Sequence, residues 1–160
     1  MKRKRISFGL IILFLIFSLG SAVRFAGLGD NPVGIVDDEA DTAYDAYSLI
    51  RTGKDQWGIP VPLTSFRGFG DYRLPVYTYL SVPAVASFGL TPFAVRLPAA
   101  VFGSLTVLLV YALVRELFGR SSETLPLLSA FFLAISPWHI GMSRIGLEET
   151  TSVFFVTAGL

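Results

Sequence analysis

Four stretches of this chain carry no charged residue: Ile6–Val23, Leu74–Val95, Leu97–Val114 and Thr124–Ser143, of 18, 22, 18 and 20 residues. A helix needs about 20 apolar residues to cross roughly 30 Å of hydrocarbon, so three or four membrane crossings are expected. The composition agrees. Of 160 residues 52% are hydrophobic and 16% charged, and the mean hydropathy of +0.62 is foreign to ordinary soluble domains. Thirteen basic against twelve acidic residues leave a net charge of +1, without the basic excess that nucleic acid binding demands. The absence of cysteine removes disulfides, thiolate metal sites and a cysteine nucleophile from consideration.

Lys2, Arg3, Lys4 and Arg5 directly precede the first apolar run, and such clusters stay on the cytoplasmic side. Gly20-Ser21-Ala22 imitates a signal-peptide cleavage site, but the long run and the further spans favour an uncut helix that delivers Arg24 to the outer face. The segment 24–73 is polar and punctuated by Gly and Pro around one helical stretch, Asp38–Thr52. Asp37 is its expected N-cap and Gly53 its left-handed terminator. Ala40, Ala43, Tyr44, Ala46, Tyr47 and Ile50 recur at helical spacing, while Asp38, Asp41 and Asp45 share one face. This pattern predicts an amphipathic helix lying on the membrane. The run Leu74–Val95 contains Pro75, Pro83, Pro92 and Gly89 and is read as interfacial rather than crossing.

The expected layout is an all-α, polytopic membrane bundle. It has a span at 6–23, an outer loop with interfacial helices at 24–96, and spans at 97–117 and 124–143. A final apolar segment at 150–160 is too short to cross, so the chain is expected to be the N-terminal part of a longer protein. Three polar clusters then meet at one membrane face: Asp37-Asp38-Glu39, the pair Arg73 and Arg96, and Arg144 with Glu148-Glu149. Charges at the ends of clean apolar helices fit a surface enzyme, whereas transporters set ionisable groups near the midplane. Two arginines at this level would clamp the phosphate of a lipid carrier, and carboxylates beside it would accept a proton or ligate a divalent metal. Each cluster also has a plainer reading. First-turn acids stabilise a helix dipole, Arg73 and Arg96 anchor an interfacial segment, and Arg144 pairs with Glu148 at i, i+4. Trp138 fits an aromatic belt, and a lone His139 is more often structural than a ligand.

The order of pieces adds a resemblance. VDDEADTAYDAYSLIRTGKDQWG, then GDYRLPVYTYLSVPAVASFGLTPFAVRLPAAVFGSLTVLLVYALVRELFG, then AISPWHIGMSRIGLEE resembles the start of the GT-C glycosyltransferases of the protein O-mannosyltransferase and lipid A aminoarabinose transferase type. The resemblance covers nearly the whole chain and implies juxtamembrane helices in an extracytoplasmic first loop. It implies inverting transfer of a sugar from a polyprenyl-phosphate-linked donor to a hydroxyl acceptor, whether protein, lipid or polysaccharide. By the same likeness Asp38 is the general base supported by Glu39, and Arg96 holds the donor phosphate. Arg73 departs from the usual Lys-Pro pattern, and Glu148 or Glu149 is the second-loop acid. No cofactor is implied with certainty, and metal use is left open because the Asp-X-Asp motif of related oligosaccharyltransferases is absent. The rival class is a polytopic transporter or lipid flippase; a non-catalytic assembly partner of the same fold is a third reading.

Overall fold

A computed structural model describes residues 8–119 and 122–160. The basic cluster at Met1–Arg5, the first residues of the expected span at Ile6 and Ser7, and Arg120 lie outside the described residues. Seven helices and one small hairpin follow one another: α1 (Phe8–Phe25), α2 (Asp37–Thr52), β1 (Phe66–Arg67), β2 (Tyr72–Arg73), α3 (Pro75–Phe88), α4 (Pro92–Leu117), α5 (Thr124–Ile135), α6 (Pro137–Met142) and α7 (Glu148–Ala158). Two of them, α1 and α4, are long and apolar enough to cross a membrane; at 1.5 Å per residue they extend about 27 and 39 Å. α4 is the hub and packs against α1, α3, α5 and α7.

The ends of these helices define two levels. At one, a Cβ on Gly9 at the start of α1 would touch the Glu123 side chain. Arg115 near the end of α4 pairs with Glu123 at 3.2 Å, and Tyr111 also donates to that carboxylate. At the other, Arg24 at the end of α1 donates to Ala134 O at the end of α5 (3.0 Å). Arg96 near the start of α4 lies at the same level, donating to Leu28 O (3.2 Å) just beyond α1. Thus α1 and α5 run one way and α4 the other.

No helix within the run 74–95 is long enough to cross a membrane. α3 is 14 residues long, about 21 Å, too short for the hydrocarbon layer. Both cations that bracket the run also grip consecutive residues of α2: Arg73 donates to Asp38 O (3.1 Å) and Arg96 to Glu39 (2.8 Å). Both ends of the run therefore lie against the first turn of α2. Gly89, at φ +73°, breaks the run, and Thr91 caps α4 by accepting from Ala94 N–H (3.2 Å).

Three expectations need correction. Asp37 is the first residue of α2 rather than its cap; Val36 occupies that position, and its N–H is satisfied by the Glu39 carboxylate (3.2 Å). The acidic stripe of α2 turns inward: Asp41 and Asp45 are buried because Arg73 lies against them, while Ala43 and Ala46 pack on α3 and α4 from another side. The segment 124–143 is two helices, broken at Ser136 and Pro137; Pro137 has no N–H to continue α5, and the Ser136 hydroxyl sits 3.5 Å from His139 N–H at the start of α6. Gly53 ends α2 at φ +70° as anticipated.

Small residues set the helix spacing, as they do where no water drives helices together. Ala130 and Ala134 of α5 meet Ile16 of α1 and Val107 and Tyr111 of α4. A Cβ on Gly103 would overlap the side chain of Ser143 and approach Thr150 Cγ2 to 3.2 Å. Gly103→Ala is expected to lower stability by about 1–3 kcal/mol through overpacking, despite the better helix propensity of Ala. Gly141→Ala, where nothing lies within 4 Å, is the control; thermal unfolding in detergent reads both, and equal melting of the two would overturn the assignment.

Candidate active site

The site grows from the first turns of α2. Glu39 is completely buried, as is Arg96 of α4. They form a bidentate pair, Arg96 Nε to Glu39 Oε1 at 2.8 Å and Nη2 to Oε2 at 3.0 Å. The same carboxylate accepts from Gly146 N–H at 2.7 Å, tying the loop before α7 to α2. A Cβ on Gly146 would stand 3.0 Å from Val95 O, so only glycine lets this loop press so close. Burial drives the Glu39 carboxyl upward, but the Arg96 bond and charge and the Gly146 and Val36 N–H groups more than offset it, and its pKa lies below the ordinary value.

Arg96 makes three more bonds, to Leu28 O (3.2 Å), Pro32 O (3.0 Å) and Gly34 O (2.6 Å). A guanidinium has five N–H groups, and all five are engaged. In this arrangement Arg96, the expected phosphate ligand, has no N–H left over and braces the first loop against α4. Arg73 is similarly enclosed. It pairs with Asp41 (3.1 Å) and Asp45 (3.0 Å) and donates to Thr42 Oγ1 and Asp38 O, leaving only Nε without a partner.

Asp38 contrasts with its neighbour. Its carbonyl is held by Arg73, but its side chain is exposed and makes no hydrogen bond or ion pair among the described residues; it borders a cavity of about 240 Å³ with Asp37, Asp41 and Asp71. Glu148, half-buried at the first turn of α7, borders a separate cavity of about 250 Å³ with Tyr77 and Leu74. Burial and then the Glu149 charge push the Glu148 carboxyl upward, and Asp38 adds in the same direction, while the Leu74 N–H and Arg73 oppose. Glu149 faces elsewhere, toward Trp138, His139 and Thr150. Arg144 does not pair with Glu148; its guanidinium caps the end of α1, donating to Val23 O (2.7 Å), Arg24 O (3.1 Å), Ala26 O (2.8 Å), Gly27 O (3.2 Å) and Asn31 O (3.0 Å). Among the described residues no three His, Cys, Asp or Glu side chains converge as a metal ion would require.

Sequence reasoning missed the weight carried by Arg24. It is fully buried and donates to Gly20 O (2.8 Å) and Ala134 O (3.0 Å), with Nη2 2.8 Å from His139 Nδ1. Arginine is always a donor, so that imidazole nitrogen accepts and the ring proton resides on Nε2. The signal was available: a lone cation at the far end of the first span runs against the positive-inside tendency.

Residues 73–160 match the family described as dolichyl-phosphate-mannose-protein mannosyltransferase. Among curated proteins, the chain is 29% identical over 152 residues to a polyprenol-phosphate-mannose–protein mannosyltransferase of Corynebacterium glutamicum; the match covers 91% of this chain and 28% of that relative. The chain therefore spans little more than a quarter of the curated relative's length. No solved structure matches.

Proposed function

The chain belongs to the dolichyl-phosphate-mannose-protein mannosyltransferase family, a family of polytopic membrane glycosyltransferases, and from that premise we propose that it supplies the acceptor-activating half of a mannosyl transfer site. The donor is a mannose linked to a polyprenyl phosphate and the acceptor a protein hydroxyl, as the name of the Corynebacterium relative states for that protein. The single observation that carries this reading is the division of labour within one acidic pair: Glu39 is buried and fully bonded, whereas the adjacent Asp38 carboxylate is exposed at a cavity mouth.

In this reading Asp38 takes the proton from the acceptor hydroxyl as its oxygen attacks the anomeric carbon. An ordinary carboxylate is too weak a base to deprotonate a hydroxyl beforehand, so proton transfer accompanies bond formation. The C1–O bond to phosphate breaks on the opposite side, the configuration inverts, and the polyprenyl phosphate leaves as the anion. Glu39, Arg96 and Arg73 are positioning residues: they fix the α2 backbone from which Asp38 projects. Glu148, with its raised pKa, is suited to hold a proton and hydrogen-bond a sugar hydroxyl. The site lies at the level opposite Glu123, and a cytoplasmic basic N-terminus supports reading that level as the extracytoplasmic face.

The test is a transfer assay with the full-length protein in membrane vesicles, using radiolabelled polyprenyl-phosphate mannose and a Ser/Thr-rich acceptor protein. Label should move to the acceptor and resist removal of lipid by organic extraction. Label that stays on the carrier, or crosses the membrane still attached to it, would instead support a flippase.

A further inference from the structure

The hairpin between α2 and α3 carries features that the proton-transfer chemistry does not use. β1 and β2 pair Phe66 with Arg73 and Arg67 with Tyr72, and the turn closes through Gly68 N–H to Asp71 O at 2.9 Å. Its tip is aromatic and open to solvent: Phe69 is 79% and Tyr72 74% exposed. Trp57 is fixed beside it, its indole N–H donating to Arg67 O at 2.7 Å, with the Arg67 guanidinium 4.6 Å above its ring. The Phe69 ring meets Trp57 edge-on at 5.9 Å. Between them lies a cavity of about 390 Å³.

That cavity and the 240 Å³ cavity at Asp38 share Phe69, Gly70 and Asp71 as lining. They form one groove with an aromatic outer end and an acidic inner end. Of the four carboxylates at the inner end, Asp37, Asp38, Asp41 and Asp71, only Asp41 forms an ion pair among the described residues.

We propose that this groove is the acceptor channel and that it takes an extended polypeptide of neutral or basic character, rejecting anionic acceptors. The proposal rests on the transferase reading for the identity of the transferred group, but not for the binding itself. Flat aromatic faces accept peptide planes and apolar side chains without demanding one sequence. The uncompensated carboxylates attract a cationic side chain flanking the hydroxyl residue and repel a glutamate or a phosphate there. A lipid surface is the alternative occupant of exposed Trp and Tyr, yet it would bring hydrocarbon, or an anionic headgroup, against unpaired carboxylates.

The reporter is the part of the full-length protein's tryptophan emission change that Trp57→Phe abolishes. The experiment titrates the full-length protein and its Trp57→Phe variant, in phosphatidylcholine nanodiscs, with a threonine peptide flanked by lysines and with its glutamate-flanked counterpart. The lysine peptide should shift Trp57 emission and bind about tenfold more tightly, a preference that falls with added salt. Asp71→Asn should reduce the preference to about threefold or less; Phe69→Ala should weaken both peptides alike. Equal affinities, or a preference insensitive to salt, would refute the channel even if Asp71→Asn failed to fold. Trp57 emission already shifted by lipid and unmoved by either peptide would assign the tip to membrane anchoring instead. Peptide binding with the stated preference but no mannosyl transfer would sink the transferase reading alone; transfer with silent Trp57 would sink the channel alone.

Discussion

Asp38→Asn is expected to leave the protein folded and to reduce mannosyl transfer by about 10²–10⁴-fold, the range that a positioned general base contributes. The fold should survive because the side chain carries no bond in the structure, while the Asp38 carbonyl, which Arg73 holds, is kept in the variant. Loss should appear in kcat at saturating donor and acceptor, with the melting temperature in detergent unchanged. Full activity in Asp38→Asn would remove this carboxylate from the chemistry and redirect attention to Glu148.

The second large effect concerns stability. Arg96→Met leaves the Glu39 carboxylate buried without its bidentate partner, and removing one member of such a pair costs about 3–5 kcal/mol. Arg96→Lys should also be strongly destabilising, since one ammonium cannot reproduce five directed N–H groups reaching Glu39, Leu28, Pro32 and Gly34. Glu39→Gln fares no better: each carboxylate oxygen accepts two donors, so an amide nitrogen at either position would face N–H groups. The double exchange Glu39→Leu with Arg96→Met should recover part of the loss. Thermal unfolding measures all four. A direct phosphate role for Arg96 would show the opposite pattern, a raised donor KM in Arg96→Lys with unaltered melting.

The same pair sets a pH dependence. The folded-state pKa of Glu39 is depressed, so its contribution to stability is complete above the unfolded carboxylate value, about 4.3, and is lost as pH falls from there through the folded value. Melting temperature should therefore decline on acidification below about pH 5, and Glu39→Leu with Arg96→Met should flatten that decline.

The gross organisation was legible because it depends on local quantities. Uncharged run length marked α1 and α4, Pro and Gly cut Leu74–Val95 into a short α3 and the start of α4, and helical spacing with Gly53 bounded α2. The break at Ser136-Pro137 was equally local but was hidden within an apolar run that hydropathy averages over. The residues of interest were also visible as ions at span ends.

Partner choice was not visible. Glu39 meets Arg96 across 57 positions and Gly146 across 107, and Arg24 reaches Ala134 across 110; periodicity reports which face a residue occupies, never what the rest of the chain lays against that face. Sequence-local physics thus established which helices are long and apolar enough to cross a membrane and which polar groups gather at their ends. Three-dimensional packing alone separated the ions already neutralised inside the protein, Glu39, Arg96 and Arg73, from Asp38, whose side chain stays exposed, because desolvation and pairing depend on neighbours brought together by folding.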